Sequence, residues 1–304
     1  MKKIVIVLMV LIVIAAASVY LFIPAQLVAS SALVVRCSER TAERFLGSEN
    51  YWAKWWPGDK PYSYDGYSYS VIKDIPDFIG IGIKSRDSIT ASTVSVAPMG
   101  NDSCFIMWTC RMQTSVNPVK KLQQYFDAKH IKESMTDLLA NAKKLLQNPD
   151  SVYGMHVIET TVKDTLLVST KTAFKNYPST QDLYSVINTL KNYVLQNNAS
   201  ITGNPMMYVS KQDTAYTLQV ALPVNKELPI SGAIAPKRMV PLKILVADVH
   251  GGTGKVNEAF HQMQNYVDDH GRESPAIPFI SIVTDRMQET DTAKWISRIY
   301  YPVL

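Results

Sequence analysis

The chain has 304 residues, 47% of them hydrophobic and 19% charged, which is enough apolar material for two packed cores and excludes a disordered or fibrous chain. Its net charge of +5 is small for this length, and no basic run exceeds Lys-Lys or Lys-Arg, so nucleic acid is not an expected partner. The five histidines (His130, His156, His250, His261, His270) are dispersed and the three cysteines form no C-x-x-C, so no metal and no cofactor is expected.

At the N-terminus, Met1-Lys2-Lys3 precedes an uncharged apolar run from Ile4 to Ile23, the length of a bilayer-spanning helix. A signal peptide turns polar after its cleavage site, but here Val19-Tyr20-Leu21-Phe22 continues the run beyond Ala15-Ala16-Ala17. Residues 1–26 are therefore expected to be an uncleaved transmembrane anchor. Lys2 and Lys3 lie before the run and the next cation is Arg36, which places the N-terminus in the cytoplasm and the bulk of the chain outside, in the periplasm.

Alternation predicts a strand from Leu27 to Arg36, followed by a short helix from Ser38 to Leu46. The stretch after it carries Trp52, Trp55 and Trp56, read as packing residues of a core or its rim. Further strands are predicted over Ile79 to Ile83, Ile89 to Ala97 and Phe105 to Thr114. A long helix over Pro118 to Leu146 follows, with Pro118 suited to its first turn. Cys104 and Cys110 fall at even spacing on one strand, roughly 20 Å apart at about 3.3 Å per residue, and cannot bridge each other. Cys37 can pair with either. "NYWAKWWPG", Asn50 to Gly58, resembles the turn after the first short helix in bacterial members of the SRPBCC (START-like, polyketide-cyclase-like) superfamily. The resemblance spans residues 27–148 and implies a helix-grip domain, a curved sheet wrapped on a long helix with an apolar cavity between them.

Asn148-Pro149-Asp150 is a breaker cluster and a domain boundary, beyond which the chain repeats itself. The first half runs strand (Val157 to Val162), strand (Thr165 to Phe174), helix (Thr180 to Gln196) and a strand pair led by Pro205 and closed by Leu222-Pro223-Val224. The second runs strand (Val240 to Val249), glycine turn, helix (Val256 to His270) and a strand pair led by Pro278 and closed by Tyr301-Pro302-Val303. The turn "VHGGTGKV" is not a phosphate-binding loop, because Val249 stands where the first glycine belongs and Val256 where the hydroxyl belongs. Its glycines serve a tight turn from strand to helix.

Two β-α-β-β halves over residues 153–304, ending in Trp295 to Val303, resemble the GyrI-like (AraC-type effector-binding) family, which binds small molecules. In that family the turn at His250-Gly251-Gly252 closes one wall of the cleft, and its drug-binding members place a buried glutamate on the strand after the second helix. By register that position is Ile280 here, and the family's tyrosine position is Ile282. The resemblance then implies an apolar cleft unsuited to cations. Tyr208, Tyr216, His250, Ile280, Trp295 and Tyr300 are its expected ligand-binding residues.

Glu258 and Glu289 are the nearest replacement acids, but they read as exposed helix or loop, and no nucleophile elbow is present. No catalytic residue is assigned. The expected fold is α+β: an N-terminal transmembrane helix, an SRPBCC-like helix-grip domain and a duplicated GyrI-like domain. The expected function is a membrane-anchored protein that binds a small, neutral, apolar molecule without a DNA-binding domain. The competing readings are a cyclase or hydrolase acting in either cavity, and an envelope interaction module with no ligand.

Overall fold

The structure, a computed structural model, describes residues 2–72, 78–85, 88–100, 102–163 and 165–304; the side chains of residues 2, 3, 5, 12 and 212 lie outside the description. The architecture is α+β, and the chain divides into two compact units, Met1–Asn148 and Pro149–Leu304.

The first unit runs α1 (Lys2–Phe22), β1 (Gln26–Val35), α2 (Glu39–Leu46), α3 (Glu49–Trp52), β2 (Ser63–Tyr64), β3 (Tyr67–Ile72), β4 (Ile79–Lys84), β5 (Ile89–Pro98), β6 (Cys104–Gln113) and α4 (Pro118–Leu146). The six strands form one antiparallel sheet in the order β1-β6-β5-β4-β3-β2. Period-two alternation on β6 buries Cys104, Ile106, Trp108 and Cys110 on one face. Helix α4 contributes Ile131, Met135, Leu138, Leu139 and Leu146 to the core. Its start is set by Asn117, whose side chain accepts from the Val119 and Lys120 N–H groups, with Pro118 in the first turn where no N–H is needed. The three tryptophans near α3 are packing residues with satisfied donors. Trp52 Nε1 donates to Leu46 O at 2.8 Å, Trp55 to Phe45 O at 3.2 Å and Trp56 to Ser63 O at 3.2 Å. The cysteines are thiols; Cys37 and Cys104 lie 3.7 Å apart, and their hydrogen bond holds Cys104 below the usual thiol range, while burial pushes Cys110 up to about 11.

The second unit runs α5 (Pro149–Tyr153), β7 (Ile158–Thr161), β8 (Leu166–Phe174), α6 (Thr180–Gln196), β9 (Met206–Gln212), β10 (Ala215–Pro223), β11 (Ala235–Arg238), β12 (Lys243–His250), α7 (Thr253–Asp269), β13 (Phe279–Ile282), a 3-10 turn (Thr292–Lys294) and β14 (Ile296–Pro302). Its eight-stranded antiparallel sheet has the order β11-β8-β10-β9-β13-β14-β12-β7. This order reads the same from its centre outward. The hairpin β9–β10 answers β13–β14, β8 answers β12, and α6 and α7 stand in matching places between them. The halves meet where β9 pairs β13 through Met207 with Ile280 and Met206 with Ser281. Helix α6 packs on β8 and β10, and α7 on β12 and β14. Leu218, Val220, Leu222, Ile299 and Met263 are fully buried among them. At the turn into α7, Gly251 has φ 119°, and a Cβ there would stand 2.9 Å from Lys255 Cγ, so only glycine makes this turn without strain.

The N-terminal expectation is corrected. Among the described residues no helix is long and apolar enough to cross a membrane, which removes the transmembrane helix from the fold and with it the grounds for a membrane-anchored, extracytoplasmic placement. The apolar count from Ile4 to Ile23 included residues that the fold uses for its own packing. Ile23 is buried with Leu27 and Ala128, and Val19 and Met112 pack against them. The Tyr20 hydroxyl donates to Val116 O, and Lys121 Nζ lies 5.1 Å from the Tyr20 ring centroid. The flanking Lys2 and Lys3 side chains, on which the orientation rested, lie outside the described residues.

Candidate functional site

In the second unit the helices cover one face of the sheet, and strand alternation sends the other set of side chains to the opposite face. On that face Phe279 of β13 and Tyr300 of β14 are register partners, and their rings stack with centroids 4.9 Å apart and planes 8° apart. Two hollows adjoin this pair. One, of about 470 Å³, is lined by Leu167, Met206, Tyr208, Gln219 and Ala221 and bounded by Met239 and Ile277. The other, of about 610 Å³, is lined by Ile158, Val246, Asp248, His250, Arg298 and Tyr300. Val162, Met206, Met239 and Phe279 border both, so the hollows adjoin as two lobes of one cleft face.

Among the described residues the charges facing the cleft are already engaged or cationic. Arg298 Nε and Nη2 donate to the two Asp248 carboxylate oxygens at 2.6 and 2.9 Å, a bidentate pair. That hydrogen bonding, with the Arg298 charge, holds the Asp248 carboxyl below its ordinary range and raises Arg298. A carboxyl with a lowered folded pKa stabilises the protein above its unfolded pKa, and this contribution disappears as pH falls through the folded value. Both side chains are more than 40% exposed, so the contribution is expected to stay below about 1 kcal/mol. Urea unfolding at neutral pH and at about pH 3 should show Asp248→Asn losing more stability at the higher pH than at the lower. An equal loss at both pH values would place the effect in packing. At the rim, Arg238 pairs with Glu227 at 2.6 Å, and Lys237 and Lys163 stand beside the two hollows.

The expected ligand residues fall in separate places. Tyr208 lines the smaller hollow, and His250 and Tyr300 the larger one. Ile280 and Trp295 lie on the helix-covered face, where they line a pocket of about 50 Å³ with Leu183 of α6 and Val256 of α7. Tyr216 stands against Tyr177, ring centroids 5.7 Å apart, with Lys211 Nζ 5.6 Å from its ring. Sequence reasoning missed Phe279, Met206, Asp248 and Arg298. Phe279 carried a legible signal, an aromatic immediately after Pro278 and one residue out of phase with Ile280.

The first unit holds a more polar hollow of about 780 Å³ between its sheet and α4, with Asp65 at its wall. His130 Nε2 and Ser134 Oγ both meet Asp65 Oδ2 at 2.9 Å. Because both converge on the carboxylate, the histidine is not placed to take the serine proton, and the trio is not a nucleophile-activating relay. No group of three or more metal-ligating side chains occurs among the described residues.

No family model matches the sequence and no curated protein matches it, which leaves the resemblance of the first unit to the SRPBCC superfamily without support. Among solved structures, the chain is similar to the EcmrR C-terminal domain, at 15% identity over 49% of this chain and 98% of that one, with a TM-score of 0.43. It is similar to SAV2435 bound to tetraphenylphosphonium at 14% identity, 49% and 94% coverage, and a TM-score of 0.33. The Aha1 dimer from Colwellia psychrerythraea is 14% identical, with 40% and 96% coverage and a TM-score of 0.31. At these scores the function rests on this chain's own residues.

Proposed function

We propose that the second unit, residues 153–304, is a small-molecule-binding module of the GyrI-like, effector-binding kind, and that it takes a neutral, apolar ligand on the face of the sheet opposite its helices. The observation that carries this reading is the stacked Phe279–Tyr300 pair set between two adjoining hollows of about 470 and 610 Å³. Each hollow is within the size range of small-molecule sites, and an aromatic floor with few polar groups is their usual lining. Among the described residues the one carboxylate lining the cleft, Asp248, is held by Arg298, and Lys163 and Lys237 stand at the rim, so these residues offer a cationic ligand repulsion and no free counter-charge. Binding without catalysis is the matching chemistry, since among the described residues lining this cleft no hydroxyl or amine is hydrogen-bonded to a base that would activate it as a nucleophile.

Displacement of Nile red, followed by fluorescence, tests the reading with two competitors of similar bulk, neutral triphenylphosphine oxide and cationic tetraphenylphosphonium. The oxide is expected to compete at least about tenfold better, and Phe279→Ala should weaken it by about tenfold through loss of the stacking surface. Phosphonium competing as well as the oxide, or Phe279→Ala binding as tightly as the parent, would overturn the assignment.

A further inference from the structure

The pocket of about 50 Å³ under α6 and α7 is separate from the cleft and contains a charge the fold leaves half served. Arg286, from the loop after β13, lines it and is only 9% exposed. Its Nη2 donates to Ser297 Oγ at 2.8 Å and its guanidinium lies 4.8 Å from the Trp295 ring centroid, yet its Nε has no hydrogen-bond partner. No carboxylate among the described residues is paired with it. Burial lowers its pKa, but a guanidinium keeps its proton inside proteins, so the positive charge remains. A buried cation with an unused donor is costly unless an anion faces it.

A second feature points the same way. Helix α7, 17 residues long, starts at Gly252, which supplies no side-chain cap, and it has no acidic residue in its first turn. Thr253 of that turn lines the pocket, so the positive end of a helix dipole and uncapped N–H groups stand at its wall. The start of α6 on the same pocket is different, because Ser179 and Asp182 close it with a reciprocal capping box. The rest of the wall combines the apolar side chains of Leu183, Val256 and Ile280 with Tyr177, Ser179 and Thr180.

From the unpartnered Nε of buried Arg286 and the uncapped start of α7 around one small pocket with an apolar side, we infer that this site binds the carboxylate of a short aliphatic acid. Arg286 supplies the positive charge in the pocket lining, the first turn of α7 supports the same anion, and the apolar side of the wall takes the short chain. The volume suits an acid of a few heavy atoms and excludes a bulky one.

The experiment titrates the full chain with propionate and with propionamide, its neutral counterpart, at constant ionic strength balanced with chloride, reading tryptophan fluorescence and thermal midpoint. Trp295 lies in the pocket wall and reports occupancy. Propionate is expected to saturate and to bind at least about tenfold more tightly than propionamide. Arg286→Met should lose at least about tenfold in propionate affinity, while Arg286→Lys, which keeps the charge without the planar fork, should retain part of it. Equal response to acid and amide, no saturation by either, or undiminished propionate binding by a folded Arg286→Met would overturn the inference. If Arg286→Met does not fold, the acid-against-amide comparison on the parent protein decides alone.

Discussion

Trp52→Ala is expected to destabilise the first unit by about 3–5 kcal/mol, the range for removing a large aromatic from a closed core. Trp52 is fully buried, stacks on Trp56 with centroids 5.2 Å apart and planes 11° apart, and meets Trp55 and Tyr62 edge-on at 6.1 and 5.2 Å. Its indole N–H also satisfies Leu46 O, which the substitution leaves without that donor. Alanine therefore removes the centre of an aromatic cluster whose members are held by their own hydrogen bonds and cannot all move in to fill the space. Equilibrium urea unfolding followed by circular dichroism measures the change. A loss below about 1 kcal/mol would show that the cluster collapses around the vacancy.

Ile280→Glu is expected to be far more destabilising when combined with Arg286→Met than alone. Ile280 is 7% exposed and shares its pocket with Arg286, so an introduced carboxylate there has a cation in the same cavity. In the Arg286→Met background the same carboxylate is buried without a partner, a situation that typically costs about 3–5 kcal/mol. A double-mutant cycle on unfolding free energies should give a coupling of that order, and strict additivity would show that the two side chains do not meet. The cycle also bears on ligand charge. A carboxylate at position 280 was expected from the family register to recruit cationic ligands; with Arg286 beside it, Ile280→Glu should bring no gain in tetraphenylphosphonium binding. It should remove the propionate response, because the anion's place is taken from within the chain.

What was legible in the sequence were the features fixed by local chemistry. Helix α4 starts and ends where its cap, its N1 proline and its apolar spacing place it, at Pro118 and Leu146. The repeated Pro-led strand pairs emerge as β9–β10 and β13–β14, and alternation on β1 and β6 identifies their buried faces. What was not legible depended on partners distant in sequence. Pro149 reads as a breaker, but it is the first residue of α5, because a first-turn proline loses no hydrogen bond. The apolar run at the N-terminus gives no sign that Ile23 is committed to Leu27 and Ala128. The four residues of β13 do not reveal which face the helices cover, so register pointed to Ile280 while the stacked aromatic is Phe279. Arg286 sits in a loop of polar residues and reads as surface; its burial arises only when Trp295 and Ser297 come alongside it.

The joint between the halves of the second unit has a mechanical consequence. Strands β8 and β10 are register partners over eight residues and β12 and β14 over seven, but β9 and β13 over only two, extended by the Ile282 N–H to Pro205 O hydrogen bond. Met206 and Phe279, which border both hollows of the cleft, sit on those two short-paired strands. Prising the hollows apart to admit a wider guest therefore works against a few rungs of backbone at the midline, whereas the flanking strand pairs travel as stiff leaves on either side, like the covers of a book around its spine.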